Sequence, residues 1–238
     1  MESSHIPTPA DQVEDGYSWN TYDDVFRTVV AALNPKTVMD IGAGSGKYGK
    51  LTRKIAPDAK ITAVEIDVEG TIRHKLDQTY DQVVTVQAAE FLMNNPNENF
   101  DLVIIGDCIE HMPKSVGIDL LNYLNYRSAY VFIITPDGMV MNKDPYYLGH
   151  ISNWTERDFM WHDNFGYERV GVMQLFLMRG LLRPELPDMG SMNEHIKAQA
   201  LPLHLDNGQF YKHAEFTLVN HMFKWQNPNG SWGAYRPF

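Results

Sequence analysis

The run Asp107-Cys-Ile-Glu110-His111-Met-Pro113 puts two carboxyl groups and an imidazole close together, directly after the apolar stretch Phe100-Asp-Leu-Val-Ile-Ile-Gly106. An imidazole titrates near neutrality, so beside carboxylates it can take or hold a proton at physiological pH. The apolar stretch reads as a buried strand, and ligands of open α/β sheets sit outside the carboxyl ends of such strands. Glu110 and His111 are therefore expected at the mouth of a ligand crevice. The plainer alternative is that they only satisfy neighbouring backbone groups.

A second group stands far upstream, in Thr37-Val-Met-Asp40-Ile-Gly42-Ala-Gly44-Ser-Gly46-Lys-Tyr-Gly49. Apolar Val38, Met39 and Ile41 read as a short buried strand, the glycines as a tight turn and the residues after Ser45 as a helix. Backbone can approach a ligand closely in such a turn, and the first amides of the helix have no helical partners. A phosphate-binding loop of the G-x-x-x-x-G-K-[S/T] type is excluded, because position 41 is Ile and Lys47 is followed by Tyr48. A dinucleotide G-x-G-x-x-G occurs at Gly44 to Gly49, but out of register, since its first glycine should follow the strand directly. Asp40 beside the turn repels a pyrophosphate and favours a ligand carrying a positive group. About 20 residues on, Ile61-Thr-Ala-Val-Glu65-Ile66-Asp67 supplies an acid suited to two ribose hydroxyls, with Glu65 the first choice and Asp67 the second.

An acid ending the strand, followed by Gly42-x-Gly44-x-Gly46, resembles the first motif of the class I S-adenosylmethionine (SAM) methyltransferases. The Asp107-x-x-Glu110-His111-Met-Pro113 run resembles a group of these that act on small molecules. The resemblance covers residues 20–176 well and the remainder loosely. It implies SAM as cofactor, held by Asp40, Gly42, Ala43, Gly44, Glu65, Ile66 and Asp107. The turn Gln87-Ala-Ala-Glu90-Phe91 would meet the adenine, although the Asp usual there is absent and Glu90 replaces it. Gly149-His150-Ile-Ser-Asn-Trp154-Thr-Glu-Arg-Asp158 also resembles the family, which places an active-site loop at His150; a loop histidine bonded to backbone is the other reading. The implied reaction is attack of a small-molecule acceptor on the sulfonium methyl, more readily by a hydroxyl oxygen than a nitrogen. His111 is the first candidate base, with His150 as the alternative; Asp107 and Glu110 either orient it or help bind a divalent metal that acidifies the hydroxyl. The spacing carries no tight metal-ligand signature, so no metal is expected. A nicotinamide-dependent oxidoreductase and a non-catalytic SAM-binding module are the competing readings.

These groups need a scaffold that brings them to one edge. The 238 residues and 44% hydrophobic content suit a single α/β domain over residues 1–238. Strands are expected at 37–41, 61–65, 83–86, 100–106, 129–134, 166–176 and 214–224, alternating with helices that include 47–56, 69–80 and 115–126. That pattern predicts a doubly wound, mostly parallel, seven-stranded Rossmann-like sheet with helices on both faces. Val25, Phe26, Val29, Val30 and Leu33 share one helical face, preceded by Tyr17, Trp19 and Tyr22, which either pack or close over the cofactor. Residues 1–15 read as a leader, 177–213 as an insertion that covers the acceptor or makes a homodimer contact, and the aromatic 225–238 as a docked tail. Net charge of −10 disfavours nucleic acid as substrate. With one cysteine and no long apolar run, the expected setting is the cytoplasm, away from membranes.

Overall fold

The computed structural model describes residues 18–137, 149–162, 164–198 and 202–206. Five parallel strands build its centre: β1 (Thr37–Ile41), β2 (Lys60–Val64), β3 (Gln82–Val84), β4 (Phe100–Gly106) and β5 (Ser128–Pro136). Every residue of β4 and β5 is buried, as expected of parallel strands covered on both faces. Alternation decides which layer each side chain joins. Val38, Leu102, Ile104, Phe132 and Ile134 face one core layer, while Met39, Ile41, Val103, Ile105 and Ile133 face the other.

The helices follow from this division. α1 (Asp23–Leu33) buries Val25, Phe26, Val29, Val30 and Leu33 on the first face, where α2 (Lys47–Ile55) and α6 (Met189–Lys197) pack against it. α4 (Ala88–Asn94) and α5 (Lys114–Asn125) contribute Phe91, Leu92, Leu120, Leu121 and Leu124 to the second. α3 (Val68–Arg73) is shorter than the 69–80 helix the sequence suggests. Lys75 adopts φ 52, which ends the helix, and a 3-10 turn at Leu76–Gln78 buries Leu76.

The strand count differs from expectation. Residues 166–176 are not one strand but parts of a hairpin, β6 (Phe165–Val170) and β7 (Met173–Arg179). Gly171, at φ 61, reverses the chain inside what reads as a single strand. With β8 (His204–Asp206), the described residues form an eight-stranded sheet of order β3-β2-β1-β4-β5-β7-β6-β8, in which β6, β7 and β8 pair antiparallel. The segment 177–213 is accordingly no plain insertion: it holds the end of β7, helix α6 packed on α1, and edge strand β8. The expected strand at 214–224, the leader and the aromatic tail lie outside the described residues.

Strand order fixes where a ligand can enter. From β1 the chain winds outward through β2 and β3, then returns to place β4 on the other side of β1. The crevice of an open sheet lies at that reversal, between the carboxyl ends of β1 and β4. Those ends carry the glycine turn and Asp107.

Candidate active site

Gly42, Gly44 and Gly46 have φ values of 69°, 50° and 75°, a region that side chains other than glycine rarely enter. At Gly42 the constraint is also spatial, because an added Cβ would lie 2.4 Å from Cys108 Sγ. The turn after β1 and the turn after β4 thus touch, and the amide of Gly42 is spent on the Val64 carbonyl at the end of β2. Ala43, between the two glycines, is buried.

Glu65 ties the floor together. Its Oε2 accepts from the Gly44 amide at 2.8 Å and its Oε1 from the Asp67 amide at 2.9 Å, with only 8% of the residue exposed. Each carboxylate oxygen keeps a further lone pair. Ile66, next to it, is 62% exposed, an apolar surface beside the acid. Glu90 is exposed in the first turn of α4, whereas Phe91 is buried in the second core layer, packed rather than presented.

Asp40 is placed behind the turn. It is 1% exposed and accepts from Tyr80 Oη at 2.5 Å, and burial pushes its carboxyl up to about 7. The same Tyr80 hydroxyl accepts from the Gly49 amide at 3.2 Å, and a Cβ at Gly49 would meet the ring at 2.3 Å. Tyr80 therefore links strand, turn and α2.

On the other side of the crevice, Asp107 sits at φ 49 and accepts from the Trp19 amide at 3.2 Å. Lys47, at the start of α2, pairs with Asp23 at 2.6 Å and donates to the carbonyls of Ser18 and Trp19. The segment before α1 is thereby strapped across the turn. Trp19 and Tyr22 are buried in it, and Tyr22 Oη reaches the hairpin, donating to Met173 O at 2.8 Å and accepting from Val170 N at 3.0 Å. Burial pushes Asp107 up to about 7, against the pull of the Trp19 amide and of Lys47.

Glu110 is 1% exposed in a 3-10 turn, Ile109–His111. Its Oε2 accepts from Thr135 Oγ1 at 3.1 Å, while its Oε1 is buried without a hydrogen-bond partner. Burial, and then the nearby Asp107 charge, raise its pKa well above the usual carboxylate range. His111 reaches solvent, with Nδ1 3.1 Å from the Gly149 carbonyl oxygen, and its ring meets that of His150 edge to face at 4.6 Å. Desolvation lowers both imidazoles, His150 to about 4, so both are neutral at physiological pH.

The loop carrying His150 is fastened to the Glu110 turn. The amides of Ile151 and Ser152 both donate to the Glu110 carbonyl, and Trp154 Nε1 donates to Ser152 Oγ and to the Ile109 carbonyl. Thr155 and Asp158 form a capping box over a single 3-10 turn, Glu156–Asp158. Lys114 of α5 reaches Asp158 at 2.7 Å and lies over the Trp154 ring. Among the described residues Glu110, His111 and His150 also form the one group able to share a metal ion, with one ligand atom from each lying within 4.8 Å of the others.

Thus the fold brings Gly42, Gly44, Glu65, Ile66 and Asp107 to one crevice and His111 and His150 to its edge, while Asp40 and Phe91 point into the interior. Sequence reasoning missed Lys47, Tyr80, Thr135 and Cys108. Lys47 and Cys108 stand inside recognised motifs, but the pairing of Lys47 with Asp23 and the contact of Cys108 with Gly42 are tertiary facts.

Solved structures share this fold. Residues 39–119 match the family model described as "Methyltransferase domain", about a third of the chain that includes the glycine turn, Glu65 and the Glu110-His111 turn. A search of curated proteins finds no match. Among solved structures, a protein named as an O-methyltransferase from Nostoc punctiforme is similar at TM-score 0.51 and 14% identity, over 67% of this chain and 56% of that one. Human N-acetylserotonin methyltransferase, solved with SAM, is similar at TM-score 0.49 and 16% identity, over 68% and 52%. A plantazolicin methyltransferase in complex with S-adenosylhomocysteine (SAH) gives TM-score 0.49 and 13% identity, over 68% and 87%. The chain spans about half the length of the Nostoc and human proteins. Residues 39–119 thus carry the match to a methyltransferase domain, for which SAM is the cofactor, on a fold shared with the Nostoc protein.

The crevice residues fit that cofactor. Side-chain-free backbone at Gly42, walled by Cys108, gives a close approach, and the carboxylate of Glu65 has lone pairs left for ribose hydroxyls.

Proposed function

We propose that this chain transfers the methyl group of SAM to a hydroxyl oxygen of a small-molecule acceptor, bound at the edge formed by His111 and His150. The single observation that carries this reading is the convergence of two imidazoles and the buried Glu110 beside the β1–β4 crevice. SAM supplies an already activated methyl on a sulfonium. What the chain must add is alignment, exclusion of water and a place for the hydroxyl proton. Gly42 and Gly44 let the ligand lie against the ends of β1 and β4, Glu65 accepts from the ribose, and Ile66 offers an apolar flank to the adenine. Asp107, Glu110, His111 and His150 meet the methyl side. An acceptor hydroxyl must shed its proton as the oxygen attacks, and an imidazole beside it can take that proton, which supports oxygen. The net charge of −10 supports a small acceptor over a polyanion.

The test is turnover of methyl-labelled SAM with pooled hydroxyl and amine metabolites, with mass spectrometry locating the label. Label on oxygen, reduced roughly 100-fold in His111→Ala with SAH affinity unchanged, is the expected result. Label on nitrogen, or a folded His111→Ala that is fully active, would overturn the assignment.

A further inference from the structure

We infer that Glu110, His111 and His150 hold a divalent transition-metal cation, and that this ion binds the acceptor's hydroxyl; the second half rests on the methyl-transfer reading above. Four observations lead there. A carboxylate oxygen and one nitrogen from each ring lie within 4.8 Å of one another. Ligands sharing one ion with bonds of about 2 Å stand about 3–4 Å apart, so small side-chain rotations close the set. Next, Glu110 is 1% exposed and its Oε1 has no hydrogen-bond partner, while Thr135 fixes the other oxygen. A buried carboxylate oxygen without a donor is costly unless a cation or proton meets it.

Third, the His111 ring is set as a ligand's ring is set. A carbonyl can only accept, so the contact with Gly149 O places the proton on Nδ1 and leaves the Nε2 lone pair available. An imidazole whose second nitrogen donates to a backbone carbonyl is the usual arrangement around a bound metal. Fourth, the two ligand-bearing segments are held in register before any ion arrives, because Ile151 N, Ser152 N and Trp154 Nε1 bond the Glu110 turn and Lys114 grips Asp158. Spacing in the sequence hides this site, since the Gly149 carbonyl that sets the His111 ring lies 38 residues further along the chain and only the fold brings it, with the neighbouring His150, to the Glu110 turn.

Two nitrogens and one oxygen suit zinc, manganese or cobalt better than magnesium, which prefers oxygen alone. Three protein ligands leave coordination positions open for the acceptor. In the transfer the hydroxyl oxygen forms the new bond to the methyl carbon as the carbon–sulfur bond breaks, and the electron pair of that broken bond stays on sulfur as SAH. The hydroxyl proton, made more acidic by the cation, leaves to solvent.

The experiment is calorimetric titration of the metal-stripped full chain with manganese and zinc, with and without SAH, backed by the manganese paramagnetic resonance signal. The expected result is saturable binding at one site, weakened at least about tenfold in both His150→Ala and Glu110→Gln, with SAH affinity unchanged in His150→Ala. His150→Ala keeps the test valid should the buried Glu110→Gln fail to fold. No saturable binding by the wild type, or binding unaltered in a folded His150→Ala, would overturn the metal. Methyl transfer that persists in chelator would likewise remove the ion and leave the transferase intact, whereas a chain that binds metal but neither SAM nor SAH would remove the transferase.

Discussion

Replacing Glu65 by Ala removes the carboxylate that joins two walls of the crevice. In the structure it accepts from Gly44 N at 2.8 Å and Asp67 N at 2.9 Å, and 8% of the residue is exposed. Hydrogen bonds to an ionised acceptor contribute about 1.5–3 kcal/mol each, but water reaching the open mouth re-solvates part of what is lost. Stability should therefore fall by about 1–2 kcal/mol, less than the sum of two bonds. Cofactor affinity suffers separately, through lost ribose contacts and a loosened Gly44, by about 1–3 kcal/mol. At about 1.4 kcal/mol per factor of ten, SAH should bind roughly 5- to 150-fold more weakly. The assay is calorimetry with SAH, alongside circular dichroism to establish that the variant is folded. Transfer chemistry, measured in single turnover at saturating SAM, should change little, since Glu65 is remote from His111 in the proposed arrangement. A folded Glu65→Ala that binds SAH like the wild type would refute the ribose role and, with it, the placement of the cofactor.

Other perturbations probe the supports. Gly42→Ala forces a side chain to φ 69 and against Cys108 Sγ at 2.4 Å and Cβ at 2.8 Å; it should cost about 1–2 kcal/mol from the backbone alone, and adding Cys108→Ala should recover only the share of the clash that comes from sulfur in thermal denaturation. Asp40 is raised from 3.8 to about 7 by burial, so between those values the folded chain keeps a proton that the unfolded chain releases. Asp40 should make stability fall as pH rises through that window, by at most about 4 kcal/mol; Asp107 and Glu110, raised in the same direction, add to the slope, so denaturant titrations across the window should show a slope that Asp40→Asn reduces without abolishing. Tyr22→Phe strips the hydroxyl that meets Met173 O, Glu168 O and Val170 N, and should lower stability by about 1–3 kcal/mol while leaving SAH affinity near wild type, read by denaturation and calorimetry together.

What could be read from the sequence was local and strongly patterned. The strand, glycine turn and helix from Thr37 onward announce themselves because glycine is needed where φ is positive, and β4 because seven buried residues in a row allow little else. Glu65 follows from its place at the end of the next strand. The hairpin β6–β7 escaped because a lone Gly171 marks the turn inside a stretch that otherwise reads as one strand. Glu110 looked like a partner for His111, but only the fold shows that it is buried, held by Thr135 and left with one oxygen unmet. The pairing of His111 with His150 joins residues on separate segments, and no spacing rule predicts it. Phe91, expected near the adenine, is taken by the core because α4 must bury an apolar face. Asp40 likewise turns inward to Tyr80, which strand alternation, applied to Val38 and Met39, could have indicated.

The central claim is that the β1–β4 crevice holds SAM with its methyl toward Glu110, His111 and His150. A crystal structure of the chain with SAH tests it most directly. The account predicts ribose hydroxyls within hydrogen-bond distance of the Glu65 carboxylate, the methionine end against Gly42 and Gly44, and sulfur on the side of Asp107 and His111. SAH seated elsewhere, or no SAH at all where a nicotinamide dinucleotide occupies the crevice, would contradict it.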